Sequence, residues 1–325
     1  MTVKWKKAPL GELLVLLGLF LYGIGLLVFT RSVSGAVAHA LELCTDILLP
    51  SLFPFLVLSS FLVSSAALMP LLSLLERPMH RLFCLPGCCS AAILLGAIGG
   101  YPIGARTVSE LYTHRLCSKK DAERTLLFCN NAGPAFLIGV IGTKLLNDSA
   151  IGCLLYLIHV FSALLIGFLL KIKHCGPDNT PAKVSAKADY TPLLPAFLQA
   201  VTGSFQIYLN ICAFVLLFSV ILCLLQQSGL LHLFLHTIPG DAALWNGLIC
   251  GTLELTSGAD ILTHSTHPRQ LLLPALSFLC GWGGLSVQMQ TIILLHDANL
   301  PVKRYLFSKI VQGILCALLT IPFCR

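Results

Sequence analysis

GAIGGYPIGA, residues 96–105, is the stretch on which the reading of this chain turns. It closes an uncharged run, Leu82–Ala105, and two basic segments flank it: ERPMHR (76–81) and HRLCSKKDAER (114–124). Lys and Arg beside membrane segments stay on the cytoplasmic side. Two consecutive inside segments cannot flank one full crossing, so residues of about 86–112 are expected to enter, turn and leave on the same side. Four closely spaced glycines and Pro102 supply the turn, since Gly adopts conformations closed to other residues and Pro cannot continue a helix. Non-helical backbone at that depth is tolerated only inside protein or beside a wet cavity.

Working outward, the whole chain has the composition of a membrane protein. Of 325 residues, 56% are hydrophobic and 11% charged, with mean hydropathy +0.87. A soluble domain carries about 25% charged residues. The runs Leu13–Thr30, Ile47–Leu75, Leu82–Ala105, Thr125–Thr143, Ser149–Leu170, Thr191–Gly240 and Gln270–Leu295 contain no Asp, Glu, Lys or Arg. Crossing a bilayer takes roughly 20 apolar residues, so the chain is read as polytopic. The formal charge of +7 sits in short loops and sets orientation rather than binding nucleic acid. Most of the 14 cysteines fall inside apolar runs, where a free thiol behaves as a small hydrophobe. None forms a CxxC pair, and a reduced context is expected. CLPGCC (Cys84, Cys88, Cys89) is the one cluster, and no metal site is expected there.

With Lys4, Lys6 and Lys7 inside, the N-terminus is cytoplasmic and the first span covers about 10–30. Its apolar core is longer than that of a secretory signal, which favours an uncleaved span. A second span, about 40–72, returns to 76–81, and the hairpin follows. Residues 125–146 cross outward, 149–170 return, and 195–227 cross again. Residues 244–263 form a second hairpin with Glu254 in its middle, 270–295 run inward, and 305–323 leave. On this path only Arg31, Lys144, Arg269 and Arg325 fall outside, and Arg106 and Lys309 fall within segments.

Two blocks then share one plan. FLVLSSFLV (55–63), GAIGGYPIGA and LFCNNAGPA (127–135) parallel FVLLFSVIL (214–222), GTLELTSGA (251–259) and FLCGWGGLS (278–286). The fold class expected is all-α: a polytopic membrane protein with two inverted-topology repeats, each a span, a re-entrant hairpin and a broken span. Residues 1–325 form a single integral membrane domain. It divides into a first repeat (35–146), a linking span and cytoplasmic loop (147–190), a second, inverted repeat (191–296) and a terminal span (297–325). Such plans place a solute near the midplane, where discontinuous helices meet.

Candidate binding residues follow. Asn130 and Asn131, beside the Gly133–Pro134 break, can satisfy freed backbone groups, present donors and acceptors to a ligand, or pin helices together. Glu254 at mid-membrane costs at least about 2.5 kcal/mol on insertion scales, so it faces a partner, a proton or water. It could couple transport by protonation, accept a solute hydroxyl or coordinate a cation; a structural pair with Arg106 is the alternative. Arg106 could instead pair with Glu110 four residues on. Thr256 and Ser257 add hydroxyls, and Gln288 either faces the cavity or packs. Glu42 and Asp46 are placed at the outer interface. His159 reads as a packed, hydrogen-bonded histidine, and His232/His236 and His264/His267 lack a third metal ligand. No Walker loop, nucleophile elbow, zinc-protease helix or Rossmann fingerprint is present. No nucleophile–base pair suggests an enzyme. No cofactor is expected; a coupled H⁺ or Na⁺ is the accessory ligand considered.

GGYPIGARTVSELY, AERTLLFCNNAGPAFLIGVIG, LELTSGA and GWGGLSVQMQ together resemble the YlbJ-type sporulation integral membrane proteins, from about residue 35 to 320. That family belongs to the nucleoside-recognition "Gate" group, related to concentrative nucleoside transporters and to the membrane part of ferrous-iron transporters. The resemblance implies a multi-pass protein of the bacterial cytoplasmic (inner) membrane, needed for spore cortex or envelope formation. It places Gly99, Gly100, Tyr101 and Pro102, with Asn130, Asn131 and Glu254, in the region that binds nucleoside in the transporters. The function expected is a permease for a small polar solute, nucleoside-like by resemblance. The alternative is a non-transporting scaffold in spore-envelope assembly. Lipid and the solute are the partners expected, without nucleic acid; a homo-oligomer is compatible with the sequence.

Overall fold

The computed structural model describes residues 10–64, 74–174 and 191–324, and among these every regular element is helical. Helix α1 (Leu10–Val28) ends at Phe29, and α2 (Thr30–Leu43) runs through a π-helical turn, Cys44–Leu48, into α3 (Leu49–Ser64). Pro50 follows that turn. A proline removes one i−4 hydrogen bond and crowds the preceding carbonyl, and a wider turn relieves both. Helical structure thus begins at Thr30, ahead of the second span expected from about 40, whose expected end, 65–72, lies outside the described residues.

The basic segment 76–81 is a helix, not a loop. In α4 (Glu76–Phe83), Met79 and Phe83 turn inward at i,i+4 spacing while Arg77, His80 and Arg81 stay exposed. The predicted first hairpin is α5 (Cys89–Gly99) and α6 (Ile103–Thr113), joined at Gly100–Pro102 with Gly100 at φ 86°. Ser118 caps α7 (Lys119–Cys129) by accepting from Asp121 N–H at 3.2 Å. Residues 130–133 leave the helix, and Pro134 precedes a π-helical segment, Ala135–Leu145. Then come α8 (Ser149–His174), α9 (Leu193–Gln227) and the short α10 (Leu230–Leu235). The second hairpin is α11 (Ala242–Leu253) and α12 (Leu255–Thr263), separated by Glu254 alone. Helices α13 (Arg269–Trp282) and α14 (Gly284–Asp297) are divided at Gly283, and α15 (Val302–Thr320) ends the bundle.

Gly11–Val28, Ser149–Ile172, Leu193–Gln227, Arg269–Asp297 and Val302–Phe323 are long and apolar enough to cross a membrane. The protein is a multi-pass membrane protein. Cys89–Gly99, Ala135–Leu145 and Ala242–Leu253 are apolar but shorter, as halves of hairpins and broken helices must be.

Contacts fix which end of the bundle each hairpin opens toward. At the mouth of the first, Cys88 Sγ donates to Leu116 O, and Arg124 donates to the carbonyls of Phe83 and Cys84. Lys171 reaches Arg81 O, and Arg304 lies 3.8 Å from Glu123, so α8 ends and α15 begins there. The two basic segments thus lie side by side, as one same-sided hairpin requires. Helix α9 starts beside Ser64 at that end, through Thr191 N–H to Ser64 O, and runs the length of the bundle. The second hairpin's mouth, where His267 lies 3.2 Å from Asp241, is at the far end.

Glycine makes the crossing close. A Cβ on Gly104 would stand 2.2 Å from Cys129 O, and one on Gly258 would stand 2.0 Å from Gly251 Cα. No side chain fits at either point, so α6 meets α7, and α11 meets α12, backbone on backbone. Cys84 is disulfide-bonded, which departs from the wholly reduced set expected; among the described residues twelve other cysteines are free.

Candidate functional site: a cavity at the meeting of two hairpins

Four chain interruptions converge at the centre: the turn Gly100–Pro102, the break 130–133, the turn at Glu254 and the break at Gly283. Gly100 and Gly133 touch, a Cβ on the former falling 2.9 Å from Gly133 N. Gly284, at φ 77°, leaves room for a Cβ only 2.9 Å from Leu255 N. The Tyr101 hydroxyl donates to Cys280 O, so the first hairpin's tip also reaches the second broken helix.

Between these elements lies a cavity of about 80 Å³. Gly99, Gly100 and Tyr101 line it from the first hairpin, and Gly133, Phe136 and Val140 from the first broken span. Glu254 and Thr256 come from the second hairpin, and Ser286 and Gln290 from the second broken span. Ile211 and Val215 of α9, with Leu48 and Leu52, close an apolar side. Glu254 is the one charged group in the lining.

Glu254 is 3% exposed. Its Oε1 accepts from Thr256 N–H at 3.0 Å and its Oε2 from Ser257 N–H at 2.7 Å. The carboxylate therefore caps α12, in the favourable field of a helix N-terminus. Each oxygen keeps a lone pair for a further donor. Arg106, the alternative partner, is elsewhere: it bonds Glu110 at 2.8 Å, Ser60 at 2.9 Å and Ser204 at 3.3 Å. No cationic side chain among the described residues pairs with Glu254.

Of the residues singled out from sequence, Gly99, Gly100, Tyr101, Glu254 and Thr256 come together on the cavity wall. Pro102 is in the same tip but not in the lining, and its peptide with Tyr101 is cis. Ser257 contributes its backbone N–H to Glu254. Gln288 is fully buried, donates to Trp282 O and has no partner at Oε1.

Asn130 and Asn131 turn away from the cavity. Asn130 Nδ2 donates to Tyr305 Oη at 2.8 Å and to Thr291 Oγ1 at 3.1 Å, while its Oδ1 accepts from Ala105 N–H at 3.3 Å. Asn131 Nδ2 donates to Phe128 O at 2.9 Å, and its Oδ1 accepts from Gln312 at 2.8 Å. The backbone freed at Ala132 donates to His159 Nε2 at 2.9 Å, which makes that histidine a packed acceptor. Lys309, 0% exposed, donates to Asn130 O and Gln312 Oε1. The pinning role left open for the two amides is the one these bonds perform. Sequence reasoning missed Tyr305, Lys309 and Gln312 as its partners; they recur at i, i+4 and i+7, one face of α15.

Other candidates lie apart. His232 and His236 approach at 3.2 Å on the surface, His264 faces Asp260, and no metal-competent cluster occurs among the described residues. Glu42 and Asp46 are exposed.

The chain is similar to the sporulation integral membrane protein YlbJ of Bacillus subtilis (strain 168). The two are 26% identical over 303 residues, which cover 85% of this chain and 74% of that protein. No family model matches the sequence, and no solved structure matches it.

Proposed function

We propose that the protein is a permease of the bacterial cytoplasmic membrane that takes a small polar solute into the Glu254 cavity. One observation carries the reading: a buried carboxylate without a cationic partner among the described residues faces a cavity built from both hairpins and both broken spans. Burying a charge at that depth is costly unless a ligand, proton or water uses it. The hairpins opening toward opposite ends support an inverted repeat and alternating access around a fixed site. The basic end, with Arg77, Arg81, Arg124 and Lys171, is read as cytoplasmic, and the N-terminus with it.

Size narrows the solute. A water needs roughly 10–15 Å³ of such space, so this cavity of about 80 Å³ holds a handful of waters or a compact amine or polyol. A nucleoside would require the halves to part. The relative's name places that protein in sporulation, and we assign this chain a role in the spore envelope on the same ground. No catalytic step is assigned to the cavity.

The test is a thermal-shift and uptake screen on reconstituted protein with small amines, polyols and nucleosides. Glu254→Gln should fold and insert but change the pH or ion dependence of binding, and Glu254→Leu should abolish it. Unchanged binding in both, at normal yield, would remove the reading. A second reading, an assembly scaffold, is favoured by α1, none of whose span is buried and which presents most of its surface outward. Sporulation that survives Glu254→Leu but fails when the α1 surface is replaced would establish the scaffold instead.

A further inference from the structure

Lys309 lies midway along α15 with its side chain wholly buried. Its three N–H bonds meet acceptors of three kinds. One is Asn130 O, one is Gln312 Oε1, and the third is the face of the Tyr101 ring, 5.5 Å from Nζ to the centroid. Other bonds hold each acceptor in place. Gln312 is oriented by its donation to Asn131 Oδ1, and the Tyr101 ring by its hydroxyl on Cys280 O. The titratable groups around the ammonium are Tyr101 from the hairpin tip, Cys129 from α7, His159 from α8, and Tyr305 and Cys316 from α15 itself. No carboxylate among the described residues pairs with it.

Asn130 O belongs to the residues just past the C-terminus of α7. The last carbonyls of a helix have no intrahelical partner, and the helix dipole makes that end negative. In a broken membrane helix, such carbonyls are suited to coordinating a dehydrated cation. We propose that the Lys309 ammonium is the resident cation of the Asn130–Gly133 break. The break then binds no free Na⁺ or K⁺, and it changes charge only by gain or loss of a proton at Nζ. One consequence rests on the permease reading: coupling at this break runs on H⁺ and not on Na⁺.

The experiment reads thermal unfolding of purified full-length protein in nanodiscs, with NaCl or KCl exchanged against choline chloride at constant ionic strength. Wild-type Tm should not move with Na⁺ or K⁺. Lys309→Ala should unfold about 5–10 °C lower and regain several degrees with Na⁺, K⁺ or n-propylammonium. Lys309→Met, which fills the space without charge, should lose Tm and show no rescue. A wild-type Tm that climbs with Na⁺, or a Lys309→Met protein as stable as wild type, overturns the proposal; so does Lys309→Ala that no cation rescues. Should Lys309→Ala fail to fold, wild type against Lys309→Arg and Lys309→Met still decides. Arg keeps the charge and should retain most of the Tm, and Met should not. Because Tm is the readout, failure here is separable from failure of the permease reading, which is scored on solute uptake.

Discussion

At the Asn130–Gly133 break the polar groups of backbone and side chains meet side chains from α8, α14 and α15, whereas at the Glu254 turn a carboxylate meets two N–H groups and then open space. Both are interruptions at the centre of a helical bundle, and a buried Lys or Glu stands at each: a base at a helix C-terminus in the first case, an acid at a helix N-terminus in the second. Each sits in the favourable field of its dipole. The base is enclosed by acceptors on every N–H, and the acid keeps lone pairs to spare. A buried charge whose partners are complete is a fastening; one left incomplete beside a cavity is a place for something else to bind.

The strongest blow to this contrast would come from its shared foundation. Gly104→Leu drives a side chain into the Cys129 carbonyl, which as backbone cannot yield, and should leave no monodisperse protein on size-exclusion chromatography. Gly258→Leu should do the same. If Gly104→Leu alone is tolerated, the two hairpins are not anchored alike. Asn130→Ala comes next. It strips a partner from Ala105 N–H, Thr291 and Tyr305, and should cost on the order of 1–3 kcal/mol, read as a lower Tm. Glu254→Gln should cost about 1 kcal/mol or less, because an amide oxygen keeps part of the cap, while solute-induced stabilisation changes. A larger Tm loss for Glu254→Gln than for Asn130→Ala would reverse the assignment of fastening and binding site. The smallest effect is expected from Ser286→Ala on the cavity wall, within about 0.5 kcal/mol on stability; its influence should appear in solute affinity alone.

Sequence carried the hairpins and breaks because their cause is local. Gly and Pro density in GAIGGYPIGA, basic residues on both flanks, and the Asn-Asn-Ala-Gly-Pro run each act through the backbone within a few residues. Glu254 was legible for the same reason, since a lone carboxylate in an apolar run is conspicuous. The facing of Asn130 and Asn131 was not legible: beyond a helix end the direction of a side chain depends on backbone dihedrals that composition does not set. Lys309 was placed within the last span, but no partner or role for it was legible there. Its burial arises from helices far apart in sequence, and no local pattern reports that. Likewise α4 was read as a loop because its charges outweigh the two inward residues, Met79 and Phe83, that make it a helix against the bundle.

Backbone against backbone at Gly104 and Gly258 also has a mechanical meaning. Side chains can swing and absorb strain, but a carbonyl pressed on a glycine Cα has no slack, so the crossing acts as a fulcrum and not as a cushion. Motion of α6 against α7, or of α12 against α11, is then a rotation about that point, with the hairpin legs as levers. An eleven-residue leg such as Ile103–Thr113 is about 16 Å long at 1.5 Å per residue. A tilt of about 10° therefore moves its far end by about 3 Å, roughly the width of a water molecule, while the pivot itself stays still.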